Sequence, residues 1–258
     1  MELITSTPAL AGFCERAVKH DFVTVDTEFL RETTYWPKLC LIQAATTDEA
    51  VLIDPLASGI ELAPFFRLLG DERVTKVFHA ARQDIEIFVK LTGEVPANIF
   101  DTQIAASVCG FGDSASCDNL VRSIANVELD KSSRFTDWSA RPLSEKQKTY
   151  ALADVTYLRD IYRALVKQVE ETGRWDWVED ELEILRSIST YVVKPEQAWE
   201  RFKTKLNRPR DLAALQRLAA WLIGRGDLGT PQMVSWPSLG TAMWSPDGWV
   251  GYSSWRHL

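Results

Sequence analysis

Three short β-rich runs in close succession constrain this chain more than any other feature. Phe22-Val23-Thr24-Val25 leads into Asp26-Thr27-Glu28, Lys38 to Ala45 follows, and Ala50-Val51-Leu52-Ile53 ends the series at Asp54-Pro55. Gaps this short predict antiparallel neighbours. The pattern then changes. Leu62, Phe65, Phe66 and Leu69 keep the helical period and predict a helix over 61–69. Val74 to Phe78 reads as a buried strand, and Asp84 to Leu91 as a helix through Ile85, Phe88 and Val89. Ile99-Phe100 is a short strand before a helix through Ile104, Ala105 and Val108. An antiparallel meander followed by alternating strand and helix predicts an α/β fold, with a mixed sheet of five to six strands flanked by helices.

Beyond the sheet the chain turns helical. Ser144 is an N-cap candidate and Gln147, three residues on, can complete a capping box; Gly173 is the natural stop for a helix running to Glu171. A second helix is expected over 177–189, and Lys194 to Trp221 as a further helical element, with Asn207 to Asp211 as a turn and N-cap. After Trp221 the character shifts again. The tail holds five of the ten tryptophans, counting Trp221, with Gly, Pro and Ser among them and no clear helical or strand period. The expected division is 1–175, 176–221 and an unassigned 222–258.

Composition excludes little. The chain has 258 residues, 46% hydrophobic and 25% charged, as expected of a soluble globular protein. No apolar run approaches the roughly 20 residues that span a bilayer. The opening Met-Glu-Leu-Ile-Thr-Ser-Thr lacks a basic and apolar leader, so a cytoplasmic location with no membrane partner is expected. Cys14, Cys40, Cys109 and Cys117 form no CxxC pair, which argues against zinc and against a disulfide framework. A net charge of -7 argues against non-specific coating of nucleic acid, yet clustered metal-binding acids would contribute to that sign.

The acids carry the chemistry. On a strand, Asp26 and Glu28 project to one face, where like charges repel unless a cation neutralises them. On a helix, Tyr150 and Asp154 share a face at i and i+4. Asp84 opens a helix after a buried strand, where an N-cap is the bland reading. Asp101 could equally be only an N-cap, and His79 a hydrogen-bonded structural histidine. Each signal is weak alone. Four acids at the ends or faces of core elements, with a helical tyrosine, match a two-cation phosphodiesterase site, and oxygen ligands select Mg²⁺ or Mn²⁺.

The motifs resemble the ribonuclease D family, in the tyrosine-containing branch of the DEDD 3′→5′ exonucleases. The first is Val25-Asp26-Thr27-Glu28-Phe29-Leu30, followed by Thr34 to Gln43; the second is Phe78-His79-Ala80-Ala81-Arg82-Gln83-Asp84, followed by Phe100-Asp101-Thr102-Gln103. The third is Asp137-Trp138-Ser139-Ala140-Arg141-Pro142-Leu143, then Tyr150-Ala151-Leu152-Ala153-Asp154. The resemblance covers nearly all of residues 1–170 and implies a ribonuclease H-like fold. It also implies that two divalent ions, Mg²⁺ or Mn²⁺, are held by Asp26, Glu28, Asp84 and Asp154, and that Tyr150 orients the attacking water. The implied substrate is RNA with a free 3′ end, with transfer-RNA precursors typical of the family. A DNA exonuclease and an inactive RNA-binding module are the competing readings.

Substrate contacts are expected from His79, from Phe29 and Leu30 as a wedge near the terminal base, and from the basic stretch Arg201 to Arg210. That stretch includes Arg201, Lys203 and Lys205 and has no acid. Core packing competes for Phe29 and Leu30, and a solvated basic face for the arginines and lysines. Trp199 to Trp221 resembles the opening helices of an accessory nucleic-acid-binding domain, the HRDC domain, giving a smaller all-α partial HRDC-like region. Its charged continuation is absent after Trp221; a frame change near that codon is one explanation.

Overall fold

The strand carrying the first two acids is the longest in the sheet, with neighbours on both sides. The structure is a computed structural model that describes residues 2–31, 37–128 and 136–192, and three short strands between 232 and 250. The sheet consists of β1 (Glu2–Ile4), β2 (Phe22–Leu30), β3 (Lys38–Ala45), β4 (Ala50–Ile53), β5 (Thr75–Phe78) and β6 (Ile99–Asp101), in the order β1-β4-β3-β2-β5-β6. The predicted meander β2-β3-β4 is antiparallel. β1 runs parallel to β4, and β5 and β6 extend the sheet parallel to β2. The expected mixed sheet is therefore present, with six strands.

Helices cover both faces. They are α1 (Thr7–Ala17), α2 (Ala63–Leu69), α3 (Arg82–Thr92), α4 (Thr102–Val108), α5 (Cys117–Leu120), α6 (Glu145–Thr172) and α7 (Trp175–Arg186). No element is predicted above for β1 or α1; α1 uses Leu10, Phe13, Cys14 and Ala17 as its buried stripe, with Pro8 in the first turn. Alternation along β2 sends Thr24, Asp26 and Glu28 to one face. That face meets α6, where the Thr24 hydroxyl donates to Val155 O at 2.8 Å and Phe22 packs on Tyr162. On the other face Phe78 of β5 meets Phe88 of α3, which in turn meets Phe65 of α2, with ring centroids 6.4 and 5.9 Å apart. Each such ring, fully buried, stabilises by roughly 1.5–3 kcal/mol. Lys76, also wholly buried, donates its ammonium to Asp71 O and Val74 O, and burial lowers its pKa to about 8.

The long helix begins as its sequence dictates. Ser144 Oγ accepts from Gln147 N at 3.2 Å and Gln147 Oε1 accepts from Ser144 N at 3.0 Å, while Gly173 closes the helix in the left-handed region at φ 63°. α7, grouped above with the segment from 176 onward, instead buries Val178, Leu182 and Leu185 and contacts α4 and β6. It thereby belongs to the unit formed by Met1–Leu30 and Lys38–Ile188. Among the described residues no helix is long and apolar enough to cross a membrane. The four cysteines are free.

A second unit comprises Arg31–Pro37 and Ser189–Leu258. Within it β7 (Gln232–Trp236), β8 (Gly240–Ser245) and β9 (Gly248–Val250) form an antiparallel meander that pairs Gln232 with Trp244 and Trp244 with Trp249. The tail left unassigned above thus contains a small sheet; strands this short, broken by Gly, Ser and Pro, carry too few residues to show a period of two. The predicted helical element from Lys194 to Trp221, with Arg201, Lys203 and Lys205, lies outside the described residues.

Candidate active site

A cavity of about 260 Å³ opens beside β2 and gathers residues from five places in the chain. Asp26 comes from β2, and Tyr150, Asp154 and Leu158 from successive turns of α6. His79 and Ala80 follow β5, Gln103 stands in α4, and Ser116, Cys117 and Asp118 stand at the start of α5. Tyr150 and Asp154 share the cavity because i and i+4 lie on one helical face. Glu28 lies on the same face of β2 as Asp26 and is half-buried. Asp84 reaches this region from the opposite layer: it sits buried in the first turn of α3 and accepts a short hydrogen bond from the Thr27 hydroxyl. Thr27 points to the α3 side of β2, as alternation requires. The bland expectation for Asp84, an N-cap, is incorrect, since Ala81 occupies that position.

Burial dominates the electrostatics, and the Asp26 charge adds to it at Asp84. Burial pushes the Asp26 carboxyl up to about 6, and a backbone hydrogen bond at Thr27 only partly offsets it. Asp84 is held well above the usual carboxylate range, first by burial and then by the neighbouring Asp26 charge, with the Thr27 hydrogen bond opposing. A divalent cation beside such acids would favour the charged form of both. Among the described residues no three His, Cys, Asp or Glu side chains close into a finished metal cage. Mg²⁺ and Mn²⁺ do not require one, since a small hard cation retains several waters and takes one or two carboxylates plus substrate phosphate. The donor set is all oxygen and fits such an ion.

His79 has partners on both sides. Thr102 Oγ1 gives its one proton to Phe78 O at 3.0 Å, so at the 3.0 Å contact between His79 Nδ1 and that hydroxyl the ring nitrogen donates. The ring also lies against the Ala115 backbone, and burial lowers its pKa. Gln103 Nε2 donates to the Ala115 carbonyl at 3.3 Å. Together they hold the loop that leads into Ser116 and Cys117.

Leu30 packs against the buried cluster of Cys40, Leu41, Leu52, Trp138, Leu143 and Ala151, beyond a β-bulge at Glu28/Phe29. Phe29 is half-buried.

Two supports escaped the sequence reading. Asp101 is an N-cap, as its bland reading has it, but it does more. Its carboxylate accepts from Gln103 N at 2.7 Å, Ala80 N at 3.1 Å and Ala81 N at 2.8 Å. It therefore clamps the starts of α3 and α4 together and holds Ala80 at φ 56°, where a non-glycine residue is strained. Arg141 forms a two-pronged ion pair with Asp54, both contacts 2.7 Å, and donates to Cys40 O, Trp138 O and Ala140 O. It fastens the segment before α6 to β3 and to the residue that follows β4. The signal for both lay in the quoted motifs, where charge alone does not distinguish a clamp from a catalyst.

The sheet order, with Asp26 of β2 and Asp154 of α6 at one cavity and Asp84 of α3 near enough to feel the Asp26 charge, is that of the ribonuclease H-like fold. A profile of the 3′-5′ exonuclease family matches residues 1–170, and the chain belongs to that family. Within it the chain is similar to ribonuclease D. It is 55% identical to ribonuclease D of Bartonella henselae over 86% of this chain and 54% of that protein. It is 56% identical to ribonuclease D of Jannaschia sp. over 84% of this chain and 58% of that protein. The crystal structure of Escherichia coli RNase D, described as an exoribonuclease involved in structured RNA processing, superimposes with a TM-score of 0.79 at 39% identity; the match covers 87% of this chain and 60% of that one. Brucella melitensis NrnC with bound Mg²⁺ matches with a TM-score of 0.64 at 25% identity, over 81% of this chain and all of that one. The chain spans little more than half the length of these ribonuclease D relatives.

Proposed function

We propose that this protein is a 3′→5′ exoribonuclease that releases nucleoside 5′-monophosphates from RNA, transfer-RNA precursors among them, in the cytoplasm. The observation that carries this reading is the meeting of Asp26, Tyr150 and Asp154 at one cavity, with Asp84 close enough for the Asp26 charge to raise its pKa. Likeness to ribonuclease D at 55% identity supports RNA as substrate.

Hydrolysis forms a bond between the water oxygen and phosphorus and breaks the bond from phosphorus to the 3′ oxygen of the preceding nucleotide. That oxygen takes up a proton and becomes the new 3′ end. Asp26, Glu28, Asp84 and Asp154 would hold two divalent cations, Mg²⁺ or Mn²⁺, which when bound acidify water and offset charge on the departing oxygen. The chain's own residues do the remaining work. Tyr150, one turn before Asp154, orients the attacking water by a hydrogen bond; a phenol is a weak base for abstraction and a good group for positioning. His79 and Gln103 shape the opposite wall through the Ala115 carbonyl. Phe29 stays a candidate for stacking on the terminal base, whereas the packing of Leu30 suits it to supporting that residue.

The test is a 3′-labelled RNA and a matched DNA incubated with the protein in Mg²⁺, Mn²⁺ or EDTA. Metal-dependent release of mononucleotides from RNA is the expected result. Release from DNA alone would assign the other polymer, and binding without release would leave a binding module.

A further inference from the structure

Gln43 lies on β3 directly opposite Asp26 of β2, and directly opposite Leu52 of β4 on its other side. Cross-strand partners share a face, so its side chain stands on the α6 side of the sheet beside the Asp26 carboxylate. It is wholly buried, and neither Oε1 nor Nε2 has a hydrogen-bond partner among the described residues. Its surroundings explain why. Leu41 precedes it on the same face, and both Leu41 and Leu52 belong to the apolar cluster that includes Trp138 and Ala151. The Thr24 hydroxyl, also on this face, is already committed to Val155 O and Ala45 O. A buried amide with two unmet ends destabilises a core, and a leucine or methionine of similar volume would fill the space without that penalty. The polar residue paired directly with it across the strands is Asp26, which lines the cavity.

We propose that Gln43 is a positioning residue for Asp26: its Nε2–H donates to an internal water that in turn donates to the Asp26 carboxylate, fixing that group for cation binding. The proposal rests on the two-cation reading above. A buried water is held where it finds two or more polar partners, and the amide and the carboxylate supply two. Metal-binding carboxylates in general depend on such outer partners for their orientation. Gln43 touches neither substrate nor reacting water. It acts through Asp26.

The variant Gln43→Met keeps the side-chain length and removes both polar ends. Metal-free Gln43→Met is expected to unfold at the same temperature as wild type or higher, because no unmet amide remains buried. Its affinity for Mn²⁺, titrated calorimetrically, is expected to fall about ten- to hundredfold. The kcat on labelled RNA should fall in parallel while KM changes less than about twofold. Unchanged Mn²⁺ affinity in a folded Gln43→Met protein would overturn the proposal. A high-resolution crystal structure of the wild type supplies a readout that no folding defect can obscure. Expected is an ordered water within hydrogen-bond distance of both Gln43 Nε2 and an Asp26 oxygen; an amide paired directly with protein atoms overturns the role. Should the wild type bind Mn²⁺ yet release no nucleotide, the exonuclease reading fails while the Gln43 measurement stands by itself.

Discussion

Asp154 and Tyr150 differ in what their loss should do, although they occupy the same helical face. Asp154→Ala removes an oxygen donor from the cavity, and hydrolysis is expected to fall by about a thousandfold or more. Thermal unfolding should stay near wild type, because Asp154 is only half-buried. A rate within a few-fold of wild type would remove Asp154 from the site. Tyr150→Phe keeps the ring against Trp138, 6.1 Å away, and deletes only the hydroxyl. Single-turnover rates should drop about a hundredfold, with Mn²⁺ affinity little changed. Equal loss of both would mean the phenol supports the metal site instead. At this scale sequence reasoning was strongest where spacing alone brings two residues together, as for Tyr150 and Asp154, which line one cavity. It was weakest for His79 and Leu30, whose neighbours come from elsewhere in the chain: the Ala115 carbonyl for one, the Trp138 cluster for the other.

Helix ends carry the next level of control. The capping box at Ser144 secures the start of α6 two turns before Tyr150. Ser144→Ala should lower stability by about 1 kcal/mol in urea unfolding and leave the rate nearly intact, since the helix has a full apolar stripe to hold it. Asp101 is different. One carboxylate ties together the first residues of α3 and α4. Asp101→Asn keeps one acceptor and loses the other, so stability should fall by about 1–3 kcal/mol, and the rate with it, because α3 carries Asp84. A rate unaffected at full metal would show that the clamp is not needed to place that acid. The capping box was legible in sequence because its signal is local, a serine three residues before a glutamine. The Asp101 clamp was not, because two of its three donors lie twenty or more residues away.

For the molecule as a whole, the buried acids should burden the metal-free protein. Burial raises the folded-state pKa of Asp26 from 3.8 to about 6. A raised carboxyl stabilises the fold fully below about pH 4, where it is protonated in both states, and loses that contribution as pH rises through about 6. Urea unfolding in EDTA should therefore show Asp26→Asn more stable than wild type at pH 8, with the gap closing toward pH 4. Saturating Mg²⁺ or Mn²⁺ should reduce or reverse that gap, because a ligand bound only by the folded state adds stability. A gap independent of pH would mean that Asp26 is not strained by its surroundings. The three β-rich runs, the helical periods from 61 onward and the order of the motifs determined the mixed sheet and named the acids, because patterns of two and of 3.6 residues are written in local sequence. The tertiary structure alone decided that Asp84 approaches from the layer opposite α6, that α7 packs with the unit that holds the six-stranded sheet, and that Gln43 stands beside Asp26. These are facts of which face meets which, and they depend on strand pairings and helix contacts between residues far apart in the chain.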